Sequence, residues 1–286
     1  MTSRGQALYA RLDKSIEAEL RKRSVFAISN YGWLDAYTAD PDLIGHAMWQ
    51  TDPPFNFAFD KYQEKSEPTD QQKQLTIVGA DFEGLMELSR TSLGIVLWRQ
   101  NEVVTDLFSD RAKYWAQYTG TLLTLSMASD RLRDFFVVAY FETDFSSFRS
   151  AKREFRSPFL EAKQRSHQVV RKQLNKLSVL IDRVQRNRLV RNKLVHQVAT
   201  RPGRMNRELF NSRRGSSSPQ RKKRMGTWDQ WVSKTNREVA ESSNFLVDWY
   251  KTLVDTSSLI FEIEHLLRRS RLERASAPAP DRGTAN

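Results

Sequence analysis

The sequence predicts an all-α protein, built as an antiparallel helical bundle. Apolar residues recur at helical spacing along most of the chain, while glycine and proline gather in a few clusters. The 286 residues, 39% of them apolar, suffice for a sizeable core. An excess of basic residues gives a net charge of +12, which favours polyanionic partners such as nucleic acid or an acidic membrane surface.

The helical pattern divides the chain into several elements. Four of the nine prolines fall in an irregular stretch after the first helix, and the C-terminal residues have the Ala, Pro and Gly composition of a disordered tail. We expect helices over residues 6–29, 75–100, 106–141, 159–199 and 228–271. The predicted organisation is an N-terminal helix with an irregular connection, packed on the bundle (1–74), the helical bundle (75–272) and a disordered tail (273–286).

A basic linker covers residues 201–226, with nine basic residues and one acidic residue. Clustered Lys and Arg in a Gly, Ser and Pro context can follow a phosphate backbone and release counterions on binding. The alternative is a solvated connector without a ligand. The predicted RNA contacts are Arg213, Arg214, Arg221, Lys222, Lys223, Arg224 and, directly after the linker, Trp228.

The stretch RNRLVRNKLVHQV, residues 186–198, carries charge into an apolar helix face. At 100° per residue, Arg188 and Arg191 fall inside the apolar stripe, and His196 lies about 140° from Arg191 around the helix axis. A charge on an apolar face needs a partner, a solvated cleft or an anionic ligand. One alternative is a structural ion pair with Asp130 or Asp134, which share a narrow polar stripe with Thr119 and Ser126.

The letters RNKLVH within this stretch resemble the Arg-Asn-x-x-x-His signature of the HEPN superfamily, small all-helical domains that include many metal-independent RNases. The resemblance implies a catalytic set of Arg191, Asn192 and His196, without metal or cofactor, in an enzyme that cuts single-stranded or looped RNA. It also implies a homodimer, and a toxin or defence effector with an antitoxin or other inhibitory protein as partner. Asp130, Asp134 and Arg188 are candidate supporting residues.

The residue types suit this chemistry. A histidine with a pKa near 6.5 can donate or accept a proton at neutral pH, and an arginine fork can bind a nonbridging phosphate oxygen. Asn192, one turn before His196, can orient the imidazole or the phosphate. Attack by the RNA 2′-hydroxyl would leave a 2′,3′-cyclic phosphate and a 5′-hydroxyl.

Other function classes have weaker support. The main alternative is a non-catalytic helical module that binds RNA or serves as a protein scaffold; a membrane-surface protein would need an exposed basic amphipathic helix. The chain holds no Walker-type loop and no Gly-x-Ser-x-Gly elbow. A single Glu-x-x-His ends at His265, which we interpret as a surface or interface residue rather than a metal ligand. With no signal-peptide pattern and no long apolar run, we expect a cytoplasmic protein without a membrane partner.

Overall fold

The computed structural model describes residues 3–27, 70–102, 109–141, 155–165, 168–191 and 228–276. Every regular element in these ranges is a helix, and none is a strand, which confirms the all-α prediction. The elements are α1 (Ser3–Lys22), α2 (Asp70–Glu102), α3 (Ser109–Phe141), α4 (Ser157–Gln164), a 3₁₀ turn (Gln168–Val170), α5 (residues 171–191) and α6 (Trp228–Ser276). No described helix has an apolar window long enough to cross a bilayer.

Helix α1 ends seven residues before the predicted position at residue 29. Ser24 adopts a left-handed backbone conformation, with φ of 52°. The amide of Val25 then donates to the carbonyl of Leu20 at 2.9 Å, and the amide of Ser24 donates to that of Arg21 at 2.9 Å. This pair of bonds is a Schellman motif, and its usual apolar contact is available because Leu20 and Val25 are both buried.

Three further boundaries differ from the prediction. Helix α2 begins at Asp70, inside the predicted irregular connection, because the polar residues that open it favour a helix without showing periodicity. Helix α6 continues to Ser276, four residues into the predicted tail, for the same reason. The helix predicted over 159–199 is divided, since α4 ends at Gln164 and a 3₁₀ turn precedes α5. No glycine or proline signals that break.

The chain packs into two compact units, each made from segments that are distant in sequence. Unit 1 combines residues 1–31, 81–131 and 183–254; unit 2 combines residues 32–80, 132–182 and 255–286. Helices α2, α3, α5 and α6 each contribute residues to both units. The predicted irregular connection falls largely in residues 28–69, which lie outside the described ranges, so its packing stays a prediction.

In unit 1, α1 lies close against α2. A Cβ placed on Gly94 would come within 2.5 Å of Ile16 Cγ2, so only glycine allows this approach. Arg90 binds Glu17 of α1 at 2.5 Å. Buried hydroxyl pairs join α2 to α3, with Ser92 and Thr121 2.7 Å apart.

Tryptophan side chains contribute to the core of unit 1. Trp115 and Trp249 are buried. Trp98 is half-buried, and the Arg99 guanidinium lies 5.5 Å from the centre of its ring.

In unit 2, aromatic side chains form most of the core. The rings of Phe135 and Phe261 lie 4.8 Å apart, and those of Phe136 and Phe159 lie 4.5 Å apart. The hydroxyl of Tyr140 donates to the carbonyl of Ala162 at 3.1 Å, so its polar end is satisfied within the apolar cluster.

Candidate functional site

Helix α5 directs its apolar stripe into the protein, and this stripe fixes where the first inward arginine lies. Leu174, Leu177, Ile181 and Val184 are all buried. At 100° per residue, Arg188 falls within about 40° of each of them around the helix axis. The guanidinium of Arg188 therefore projects in the direction that these apolar side chains define, which is costly for a charge without a partner.

The partner of Arg188 is Asp130 of α3, in the same unit. Nη2 of Arg188 donates to Oδ1 of Asp130 at 2.6 Å. The Arg188 side chain is 20% exposed and that of Asp130 is 38% exposed, so solvent reaches part of the pair. The sequence analysis considered Asp130 as a structural partner of Arg191, and in the structure Asp130 binds Arg188 instead.

Arg191, one turn beyond Arg188, is differently placed. It is half-buried, and its Nε is inaccessible to solvent with no hydrogen-bond partner among the described residues. Within the described ranges, neither Asp130 nor Asp134 forms an ion pair with it. The structural pairing considered for Arg191 is therefore not found there, and its charge is not compensated by either carboxylate.

Asp134 belongs to unit 2 and is bound by its neighbour in sequence. The guanidinium of Arg133 donates twice to Asp134 Oδ1, from Nε at 3.2 Å and from Nη2 at 3.0 Å. Asp134 is only 5% exposed, so these charge-assisted bonds compensate much of its desolvation. The role of Asp134 as a supporting site residue remains a prediction. In the structure its carboxylate accepts hydrogen bonds from its sequence neighbour Arg133.

Several predicted site residues lie outside the described residues. These are Asn192, His196 and the linker residues Arg213, Arg214, Arg221, Lys222, Lys223 and Arg224. Trp228 opens α6, but its side chain is not described. Their roles therefore stay predictions.

Two further polar groups flank the Arg188–Asp130 pair along its own helices. Ser126, one turn before Asp130 on α3, is 3% exposed, and its Oγ has no hydrogen-bond partner among the described residues. The Oε1 atom of Gln185, one turn before Arg188 on α5, is also buried and has no hydrogen-bond partner among the described residues. By contrast, Thr119 of the predicted polar stripe donates to the carbonyl of Trp115 at 2.8 Å and is satisfied within its helix.

Sequence reasoning missed two ionisable groups of unit 1. Arg111 of α3 is 4% exposed; burial lowers its pKa to about 10, against the opposing effect of the negative charge of Glu238. Burial raises the pKa of the Glu83 carboxyl on α2 to about 8. The signal for Arg111 was its phase, since it lies one turn before Tyr114 and two before Tyr118 on the buried face of α3.

Comparison with known proteins finds no matching protein family, no similar curated protein and no similar solved structure.

Proposed function

We propose that the protein is a metal-independent endoribonuclease that cleaves single-stranded or looped RNA. The observation that carries the proposal is the different environment of the two inward arginines of α5. Arg188 is held by Asp130, whereas Arg191, the first residue of the RNKLVH motif, forms no ion pair with either candidate carboxylate within the described ranges. A half-buried guanidinium without a carboxylate partner is suited to bind an anionic ligand such as a phosphate.

In the proposed reaction, the 2′-oxygen of the substrate attacks phosphorus and the bond to the 5′-oxygen breaks. His196 transfers protons, because an imidazole can exist in both protonation states near neutral pH. Arg191 binds a nonbridging oxygen and stabilises the charge that develops on phosphorus. Asn192 orients the imidazole or the phosphate, and the products carry a 2′,3′-cyclic phosphate and a 5′-hydroxyl.

The charge of the chain supports an RNA substrate. The net charge of +12 and the basic linker at 201–226 provide electrostatic attraction to a phosphate backbone. We propose that the enzyme is a cytoplasmic toxin or defence effector, active as a homodimer and controlled by an antitoxin or another inhibitory protein. These roles rest on the resemblance of the RNKLVH motif.

A second candidate function is a non-catalytic module that binds RNA or scaffolds other proteins. The Arg188–Asp130 pair favours this alternative, because Arg188 is an arginine on the inward face of α5 that forms an ion pair between two helices. On that alternative the basic linker binds RNA, and no strand is cut.

The test is incubation of the purified protein with mixed cellular RNA in excess EDTA, followed by mapping of the RNA ends. The nuclease proposal expects new 5′-hydroxyl ends and 2′,3′-cyclic phosphate ends that appear together. RNA that is retained by the protein but stays intact would favour the non-catalytic module.

A further inference from the structure

A stretch of unit 2 around the junction of α4 and α5 carries basic residues without acidic ones. No Asp or Glu occurs between Glu161 and Asp182. The basic residues within that interval are Lys163, Arg165, Arg171, Lys172 and Lys176, and all of them are exposed. They lie in unit 2, whereas Arg191 lies in unit 1. The stretch is therefore separate from the residues proposed to cut RNA.

Four of these cations differ from other exposed cations in their ion pairing. Arg21 on α1 pairs with Glu17 one turn away, and Arg165 pairs in the same way with Glu161, at 2.9 Å. The cations that form no ion pair with any described residue are Lys163, Arg171, Lys172 and Lys176. We call these four residues the α4–α5 basic surface.

Helix α5 directs its part of this surface away from the core. At 100° per residue, Lys172 lies at least 140° from the buried residues Leu174, Leu177 and Ile181 around the helix axis. Lys176 follows Lys172 by one turn on the same side. Like charges at that spacing repel each other, and no carboxylate lies one turn away from either lysine to compensate them. An anionic ligand would relieve this repulsion.

Helix α4 brings Lys163 to the same end of α5. Nη1 of Arg156, just before α4, lies 3.8 Å from Oδ1 of Asp182, so α4 begins beside the later part of α5 within unit 2. The chain then turns back through the 3₁₀ turn into α5, and the two helices run in opposite directions. Lys163 is in the last turn of α4, and Arg171 and Lys172 open α5, so all three lie near this turn.

The carboxylates that border the surface are engaged elsewhere. Glu161 and Asp182 pair with arginines that are not part of it. Glu262 of α6 accepts a hydrogen bond from the Gln173 side-chain amide at 3.0 Å. Gln173 lies about 100° from Lys172 around α5, so Glu262 flanks the surface without covering it.

The surroundings of the surface favour a phosphate backbone over a lipid bilayer. A helix that binds a bilayer places a continuous apolar face in it, and the apolar stripe of α5 is buried inside the protein. The exposed apolar side chains nearby are aliphatic and lie on three different elements, namely Leu160, Val169 and Val179. A phosphate backbone requires only accessible cations, because its binding is driven by counterion release.

We propose that the α4–α5 basic surface binds the phosphate backbone of RNA, as a second contact besides the basic linker at 201–226. The choice of RNA as the polyanion rests on the proposed function. The surface itself does not, because it contains no residue proposed to cut RNA, and a non-catalytic module would use it as well. Contacts of this kind position a strand without reading its sequence.

The test is a double variant of the full chain, Lys172→Gln with Lys176→Gln, and the probe is 2′-O-methyl RNA, which attack by a 2′-oxygen cannot cut. Filter binding over a series of salt concentrations is expected to show affinity weaker by about 10-fold or more at about 0.1 M salt. The slope of log affinity against log salt should become less steep by about 1.4, since each phosphate contact on a single strand contributes about 0.7.

Arg11→Gln with Lys14→Gln is the matched control. Both residues are exposed cations of α1 that form no ion pair with a described residue, and their replacement removes the same charge. Circular dichroism checks that both double variants keep their helix content. A loss of RNA affinity that the α1 control does not share supports the proposal. No loss, or an equal loss in both variants, overturns it, because total charge would then determine the affinity.

Two further measurements separate this proposal from its alternatives. Flotation with vesicles of phosphatidylserine and phosphatidylcholine tests a lipid ligand; vesicle binding that is lost in Lys172→Gln with Lys176→Gln, while RNA affinity is unchanged, would replace RNA by an anionic membrane. Cleavage of unmodified RNA is assayed separately. RNA that stays intact but binds less tightly to this double variant would overturn the nuclease and support the surface. Cleavage by the wild type with no effect of the double variant on RNA affinity would do the opposite.

Discussion

Arg188 of α5 and Asp130 of α3 are joined by a hydrogen bond of 2.6 Å between Nη2 and Oδ1. This pair allows a charged residue to continue the apolar stripe formed by Leu174, Leu177 and Ile181. Arg191 lies one turn further along α5 and binds no carboxylate in the described structure. We therefore expect Arg188 to stabilise the fold and Arg191 to bind an anionic ligand.

The first prediction concerns the strength of that pair. Arg188→Ala is expected to lower the free energy of unfolding by about 1–2 kcal/mol, less than for a fully buried pair, because Asp130 is 38% exposed and water partly replaces its partner. Urea unfolding of Arg188→Ala, Asp130→Ala and the double variant measures the coupling, which we expect to be about 1 kcal/mol. If the losses of the two single variants add up to that of the double variant, the interaction between Arg188 and Asp130 does not contribute to the free energy of unfolding.

Sequence periodicity predicted that α5 turns two arginines inward, and helical phase predicted a polar stripe on α3. Neither determined which arginine meets Asp130. That choice depends on the axial offset between α3 and α5, which arises from the packing of side chains that are distant in sequence. The same limit applies to Arg111, because Glu238, whose negative charge opposes the lowering of the Arg111 pKa, lies more than a hundred residues away in sequence.

Helix boundaries were predicted well where a sequence signal exists and poorly where it does not. The start of α6 at Trp228 and the end of α3 at Phe141 agree with the prediction. The end of α1 was missed because a serine, not a glycine, holds the left-handed position of its Schellman motif. The break after α4 was missed because no glycine or proline marks it.

The left-handed serine gives the second prediction. Ser24→Gly is expected to raise the free energy of unfolding by about 0.5–1 kcal/mol, since glycine adopts positive φ without the steric cost that a Cβ imposes. Thermal unfolding followed by circular dichroism measures it. Ser15→Gly, in the interior of α1, is the control and should lower stability instead. Equal shifts in the two variants would contradict the role assigned to the backbone at Ser24.

The third prediction is a pH dependence of stability at Glu83. Its folded-state pKa of about 8 lies above the ordinary value of 4.5, so the folded protein holds this proton more tightly than the unfolded chain. The contribution of Glu83 to the free energy of unfolding is fully present below about pH 4.5. It is lost as pH rises through 8, at no more than about 1.4 kcal/mol per pH unit.

Glu83→Gln tests this contribution, because an amide cannot ionise. The variant is expected to be more stable than the wild type at pH 9 and to lose stability less steeply between pH 5 and pH 8. Glu87→Gln, one turn along α2 and exposed, is the matched control. Urea unfolding across that pH range measures both variants, and parallel curves for Glu83→Gln and the wild type would refute the prediction.

The fourth prediction concerns the basic linker at 201–226. Replacing Arg221, Lys222, Lys223 and Arg224 by Gln is expected to weaken RNA binding and to flatten its salt dependence, because fewer counterions are released. Filter binding over a series of salt concentrations measures the slope. Folding should be unaffected, and an unchanged slope would identify the linker as a solvated connector.

The last prediction separates the two proposed functions at Arg191 and His196. His196→Ala and Arg191→Ala are each expected to reduce RNA cleavage in EDTA by about 100-fold or more while leaving RNA binding largely intact, since each removes a group that acts on the reacting phosphate. Arg183→Ala, which removes an exposed arginine of the same helix, is the control and should cleave at the wild-type rate.

Stability distinguishes a catalytic Arg191 from a structural one. Because no described carboxylate binds Arg191, Arg191→Ala should leave the free energy of unfolding unchanged or slightly higher, in contrast to the loss expected for Arg188→Ala. If Arg191 instead held a buried ion pair, its removal would cost about 3–5 kcal/mol, since the partner would be left charged and buried. A collapse of Tm in Arg191→Ala, together with wild-type cleavage by His196→Ala, would rule out the nuclease and favour the non-catalytic module.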